Sequence, residues 1–142
     1  MTQISPHFSL EELTRTDTGL ENDPGIALAG NMARLASTLE QIRELLGVPL
    51  DINSGFRTEE VNRRVGGVRN SAHLFARAAD FVPRGMSIDD AFESIRKSGI
   101  TYDQLILEPT WIHIGIACVR EKPRQEDLIA TMRNGEMKYK PA

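Results

Sequence analysis

Beginning at Leu28, apolar side chains recur as Met32, Leu35, Leu39, Ile42 and Leu46, at intervals of three and four residues, which predicts an amphipathic helix over residues 25–46. Asn22-Asp23-Pro24 reads as its cap, with the proline just inside the start, and Gly47 as its stop. This is the expected main core helix. Upstream, residues 5–16 are polar apart from Phe8, Leu10 and Leu13, and Ser9 followed by Glu12 carries the signature of a capping box that opens a short helix. Alternation replaces the helical period over residues 49–53 and predicts a strand. Thr58, with Glu59 and Glu60, then opens a short helix that runs out at Gly66-Gly67, leaving a loop over residues 66–73.

The segment Ala78-Ala79-Asp80-Phe81-Val82 is apolar on both sides of one acid, as suits a buried strand, and Pro83 with Gly85 ends it. Ser87, ahead of Asp89 and Asp90, caps a helix that carries Ala91, Phe92 and Ile95 and closes at Gly99. Residues 104–108 and 111–116 read as two strands of a hairpin turning at Pro109-Thr110, and residues 128–132 and 136–139 as a second hairpin around Asn134-Gly135. Helices first and strands last over residues 1–142 predict one α+β domain, a central, mostly antiparallel sheet flanked by helices.

Composition narrows the classes of function. With 40% apolar and 26% charged residues the chain has the make-up of a soluble globular protein, and it contains no run near the ~18 apolar residues of a membrane span. A net charge of -3 gives no global footprint for nucleic acid. Arg120, Lys122, Arg124, Lys138 and Lys140 make the end locally basic, either a solvated face or a surface for an anionic partner. The single Cys118 forms no internal disulfide and reads as a small buried residue, so a core or a metal must hold the fold. The segment after Met1 lacks the basic start and apolar centre of a secretory signal, so cytoplasmic synthesis is expected. A monomer is the expected state.

The chemistry concentrates in three residues. In Trp111-Ile112-His113-Ile114-Gly115-Ile116, alternate side chains share a face, so the isoleucines point to one side and His113 points to the other. Alone, such a histidine is a surface residue bonded to a neighbour. Asp80, however, sits in a strand too apolar to welcome a carboxylate, and a buried carboxylate needs a counter-charge or a cluster of donors. Arg57 or Arg77 would supply that as an ion pair. A metal ion held jointly with His73 and His113 would supply it too. Zinc accepts imidazole nitrogen and carboxylate oxygen, and three protein ligands leave a fourth position open, as in catalytic sites. His7, in Ser-Pro-His-Phe, reads instead as a packing or capping residue.

The ordered set Ser54-Gly55-Phe56-Arg57, Asn62, Val65-Gly66-Gly67, Ser71-Ala72-His73, Ala78-Ala79-Asp80, Tyr102-Asp103-Gln104-Leu105-Ile106 and Trp111-Ile112-His113 resembles the zinc D-alanyl-D-alanine carboxypeptidase family. That family includes bacteriophage endolysins, and the hedgehog signalling domain shares its fold. The resemblance runs over residues 5–116, with the motif-bearing core at about residues 50–116. It implies one zinc ion on His73, Asp80 and His113, with Arg57 and Ser71 contacting the substrate, a peptidoglycan stem peptide. The implied reaction is amide hydrolysis, by a carboxypeptidase or an endolysin-type endopeptidase, acting on the cell wall after holin-type release. Neither nucleic acid nor membrane insertion is expected. A guanidinium fork suits a carboxylate, although Arg57 also lies near Glu59 and Glu60 for a surface ion pair. Glu108, ending the strand before that of His113, is the expected general base, with Asp103 in reserve; Thr110 stands where some relatives carry this acid. Gly66 and Gly67 read as a tight loop. Ala76 stands where family members usually have glycine, so a positive φ there would strain the loop. The rival reading is a zinc-stabilised, non-catalytic cell-wall-binding or virion-associated module.

Overall fold

The structure, a computed structural model, describes residues 2–142. A small antiparallel pair, β1 (Gln3–Ser5) and β2 (Phe8–Ser9), leads into helix α1 (Leu10–Thr14), whose capping box is formed by Ser9 and Glu12 as expected. His7 neither caps nor packs. Its Nδ1 lies 2.7 Å from Glu40 and ties the pair to the long helix. That helix, α2 (Ala29–Leu46), buries Met32, Leu35, Leu39 and Ile42 and stops at Gly47 in the left-handed region. It starts later than its apolar spacing predicts: a 3-10 turn (Ile26–Leu28) precedes it. Asn22 is not its cap. The Asn22 amide instead donates to the carbonyls of Thr14 and Phe56, and its oxygen accepts from the Thr58 amide, so it stitches three loops together.

The sheet comprises β3 (Leu50–Ser54), β4 (Ala78–Pro83), β5 (Gln104–Leu107), β6 (Ile112–Gly115), β7 (Glu126–Arg133) and β8 (Glu136–Pro141), in spatial order β3-β4-β6-β5-β7-β8. Every pairing is antiparallel except β5 with β7. Both predicted hairpins form, and Asn134 and Gly135 take the positive φ values that a two-residue turn demands. Short helix α3 (Glu59–Arg64) is capped by Thr58, and α4 (Ile88–Arg96) by Ser87.

Strand alternation divides the sheet into two faces. Ile52, Phe81, Ile112 and Leu107 pair across β3, β4, β6 and β5, and with Ala79, Ile114 and Leu105 they meet the apolar faces of α2 and α4 in one core. The opposite row runs Ser54, Asp80, His113, Ile106, Leu128. From Asp80 to Leu128 it forms the floor of a groove of about 660 Å³ that carries all the candidate chemistry.

Candidate metal centre and active-site groove

Asp80 and His113 face each other as a directly paired position of β4 and β6, which places His113 Nδ1 2.8 Å from Asp80 Oδ1. His73 arrives from a different element, a 3-10 turn (Ala72–Phe75) capped by the Ser71 hydroxyl, which accepts from the His73 amide. Its Nε2 stands 3.4 Å from the same Asp80 oxygen. His73 Nδ1 is 2.6 Å from the Gly55 carbonyl, which only accepts, so Nδ1 carries the proton and Nε2 turns its lone pair to the site. That carbonyl can come so close because Gly55 has no side chain: a Cβ there would sit 2.3 Å from the Leu13 carbonyl oxygen.

One donor atom from each of His73, Asp80 and His113 lies within 4.8 Å of the others. Tetrahedral zinc with bonds of about 2.0–2.1 Å spaces neighbouring donors by about 3.3 Å, so the set fits zinc with small adjustments. His73 is 3% exposed, whereas the groove opens beside His113, leaving room for a fourth ligand. Asp80 has the arginine partner anticipated for a buried acid, and both imidazoles beside it. Its Oδ1 faces the imidazoles and its Oδ2 accepts from Arg57 Nη2 at 3.3 Å. Burial alone would raise its carboxyl, but the His113 imidazole bonded to it and the His73 imidazole beside it hold it well below the usual carboxylate range.

Arg57 therefore does not pair with Glu59 or Glu60. Nε donates to Ser54 and Nη1 to the buried Asn62, in addition to the Asp80 contact. Of five guanidinium N–H groups, two remain for a groove ligand. Asn62 in turn donates to the Val68 carbonyl, and Gly67 packs against both side chains, where a Cβ would come within 2.0 Å of Asn62 Oδ1. Gly66 turns the loop at positive φ, whereas Gly67 does more than turn it. Residue type at Asn62 and Gly67 carried no readable sign of this contact.

Glu108 follows β5, and its side chain lines the groove rather than solvent, at 9% exposure. Burial raises its carboxyl above the ordinary glutamate value, with Asp80 adding to the rise while His113 and Tyr139 oppose it. Asp103, the reserve base, is engaged elsewhere: Arg124 binds both of its carboxylate oxygens and lowers its pKa. Ala76 does take positive φ, at 55°, closing the turn that carries His73. Tyr139, from β8, enters the groove from the far side and was not legible as a site residue.

The profile of the Peptidase M15 family matches residues 6–115, a span that contains His73, Asp80, Glu108 and His113 and ends before β7. A zinc D-Ala-D-Ala carboxypeptidase of Streptomyces albus G is 28% identical over 98 residues, covering 67% of this chain and 38% of that protein. The chain thus spans well under half the length of that curated relative. The profile takes in most of the chain and every residue of the His-Asp-His cluster, and by that match the protein belongs to the peptidase M15 family.

Proposed function

We propose that the protein is a zinc peptidase that hydrolyses amide bonds in peptidoglycan stem peptides, as a D-Ala-D-Ala carboxypeptidase or an endolysin-type endopeptidase, and that it acts in cell-wall lysis. The observation that carries this reading is the convergence of a His-Asp-His donor set, a buried carboxylate and a partly free guanidinium in one groove. His73, Asp80 and His113 hold one zinc ion, which supplies polarisation of the scissile carbonyl and acidification of water when bound. Glu108 takes the proton from that water and passes it to the leaving amine nitrogen; a raised pKa suits a group that must hold the proton between the two transfers. Arg57 offers its two spare N–H donors to a substrate carboxylate or carbonyl, and Ser71, at the rim of the groove, contacts the peptide backbone.

The test uses zinc-loaded protein with a D-Ala-D-Ala-terminated stem pentapeptide and with cross-linked peptidoglycan, with and without chelator, read by mass spectrometry and by new amino groups. Cleavage that chelator abolishes and zinc restores is expected. Binding without release overturns the reading in favour of a non-catalytic cell-wall-binding or virion-associated module. His113→Ala should lose zinc and turnover together, whereas Glu108→Gln should keep zinc and lose about 100-fold or more in turnover. Turnover retained in Glu108→Gln removes that residue from the mechanism.

A further inference from the structure

The family match ends at residue 115, yet β7 and β8 continue the groove floor beyond it. Strand β7 joins β5 in parallel, so Leu128 extends the row of Asp80, His113 and Ile106. One step along, past the Leu107–Ile129 pair, Glu108 comes level with Ala130, and Ala130 pairs with Tyr139 on β8. Alternation places all three on the groove face. Two strand spacings, about 10 Å, separate β5 from β8. The residue between them carries only a methyl group, so no bulky side chain separates Tyr139 from Glu108, and both line the groove. Three ionisable groups act on that carboxylate: His113, Asp80 and Tyr139. Of these, Tyr139 alone offers a neutral O–H donor.

We propose that Tyr139 is a positioning residue for Glu108: its phenol donates to the carboxylate and holds it toward the His73–Asp80–His113 cluster, so the C-terminal hairpin completes the groove. This rests on the reading of Glu108 as proton carrier. A glutamate side chain has several rotamers, and only those aimed at the cluster are productive; a donor fixed on a paired strand selects them. At 51% exposure the ring contributes little to the core, so its substitution leaves folding intact.

The experiment compares the full zinc-loaded chain with Tyr139→Phe and Glu108→Gln, using the stem pentapeptide as probe and measuring kcat, KM, zinc content and the NMR resonance of the Glu108 side-chain carboxyl carbon. Tyr139→Phe keeps the ring and loses only the hydroxyl. It should lower kcat about tenfold, leave KM within about twofold, retain zinc and move the Glu108 resonance. A ring that merely fills space predicts no change in any of these. An inactive Glu108→Gln beside an undiminished Tyr139→Phe overturns this inference alone, and turnover surviving in Glu108→Gln overturns the base assignment and this inference together. An unmoved Glu108 resonance in Tyr139→Phe overturns it whether or not the pentapeptide is cleaved.

Discussion

Gly67→Ala separates the loop after α3 from the groove it supports. A Cβ at this position would stand 2.0 Å from Asn62 Oδ1, 2.8 Å from Asn62 Cγ and 2.9 Å from Arg57 Nη1. Comfortable contacts lie near 3.5 Å, so the Asn62 amide must swing away by more than about an ångström. It then gives up the 2.8 Å bond to the Val68 carbonyl and the 3.2 Å bond from Arg57. Asn62 is only 4% exposed, so water does not replace these partners. Each buried polar group left unpaired costs about 1–3 kcal/mol, which gives a loss of about 2–4 kcal/mol. For a chain of this size that lowers the melting midpoint by about 10 °C in calorimetry. Arg57 loses one of three anchors, so KM for the stem pentapeptide should rise about tenfold while zinc content holds. The neighbouring Gly66→Ala is the internal comparison. Gly66 has φ of +77° and open space around its Cα, so alanine there meets only left-handed strain of about 1 kcal/mol. Equal melting of the two variants, or an unmoved KM in Gly67→Ala, refutes the assigned contact.

Four further outcomes follow from the same site. Gly55→Ala must push its Cβ off the Leu13 carbonyl oxygen, 2.3 Å away, and so drag the Gly55 carbonyl from His73; zinc affinity should fall about 10–100-fold in a competition titration, and parental affinity would contradict the tautomer argument. Ala76→Gly relieves left-handed strain of about 1 kcal/mol but removes a buried methyl worth about 0.8 kcal/mol, so its melting midpoint should lie close to that of the parent; a large shift either way shows that one term has been misjudged. Burial raises the Glu108 pKa above 4.5, so kcat/KM should fall as pH drops through that raised value, with zinc content measured at each pH. The sign for stability is opposite: the folded state favours the protonated acid, so its contribution is full at low pH and is lost as pH rises through the raised pKa. Glu108→Gln should therefore melt above the parent at neutral pH, and an equal or lower midpoint would count against the burial argument.

Local rules made much of this molecule readable. The spacing of Met32, Leu35, Leu39 and Ile42 announced the buried face of α2, and Ser9, Thr58 and Ser87 each cap the helix they precede. Asp80 stood out because a carboxylate amid alanine and phenylalanine is costly unless compensated, and its compensation is the site. Contacts between distant segments were hidden. Nothing in Asn22-Asp23-Pro24 distinguishes a helix cap from an amide bridging Thr14, Phe56 and Thr58, because both use the same side-chain chemistry. The parallel step from β5 to β7 has no local sequence signal, and with it went the place of Tyr139 in the groove. The side of the sheet that Glu108 faces depended on the register of the β5–β6 turn, set by the Glu108 amide bonding to the Trp111 carbonyl.

Along β4, Ala79 and Phe81 belong to the interior while Asp80 between them belongs to the groove, and β6 repeats the arrangement with Ile112 and Ile114 around His113. Parity along these strands therefore partitions the experimenter's choices: one set of positions tunes reactivity, the interleaved set tunes melting. Deleting a single residue from either strand would exchange the two sets, turning phenylalanine or isoleucine toward the ligand and the acid or imidazole toward oil. Length, as much as the identity of Asp80 and His113, is what β4 and β6 must keep.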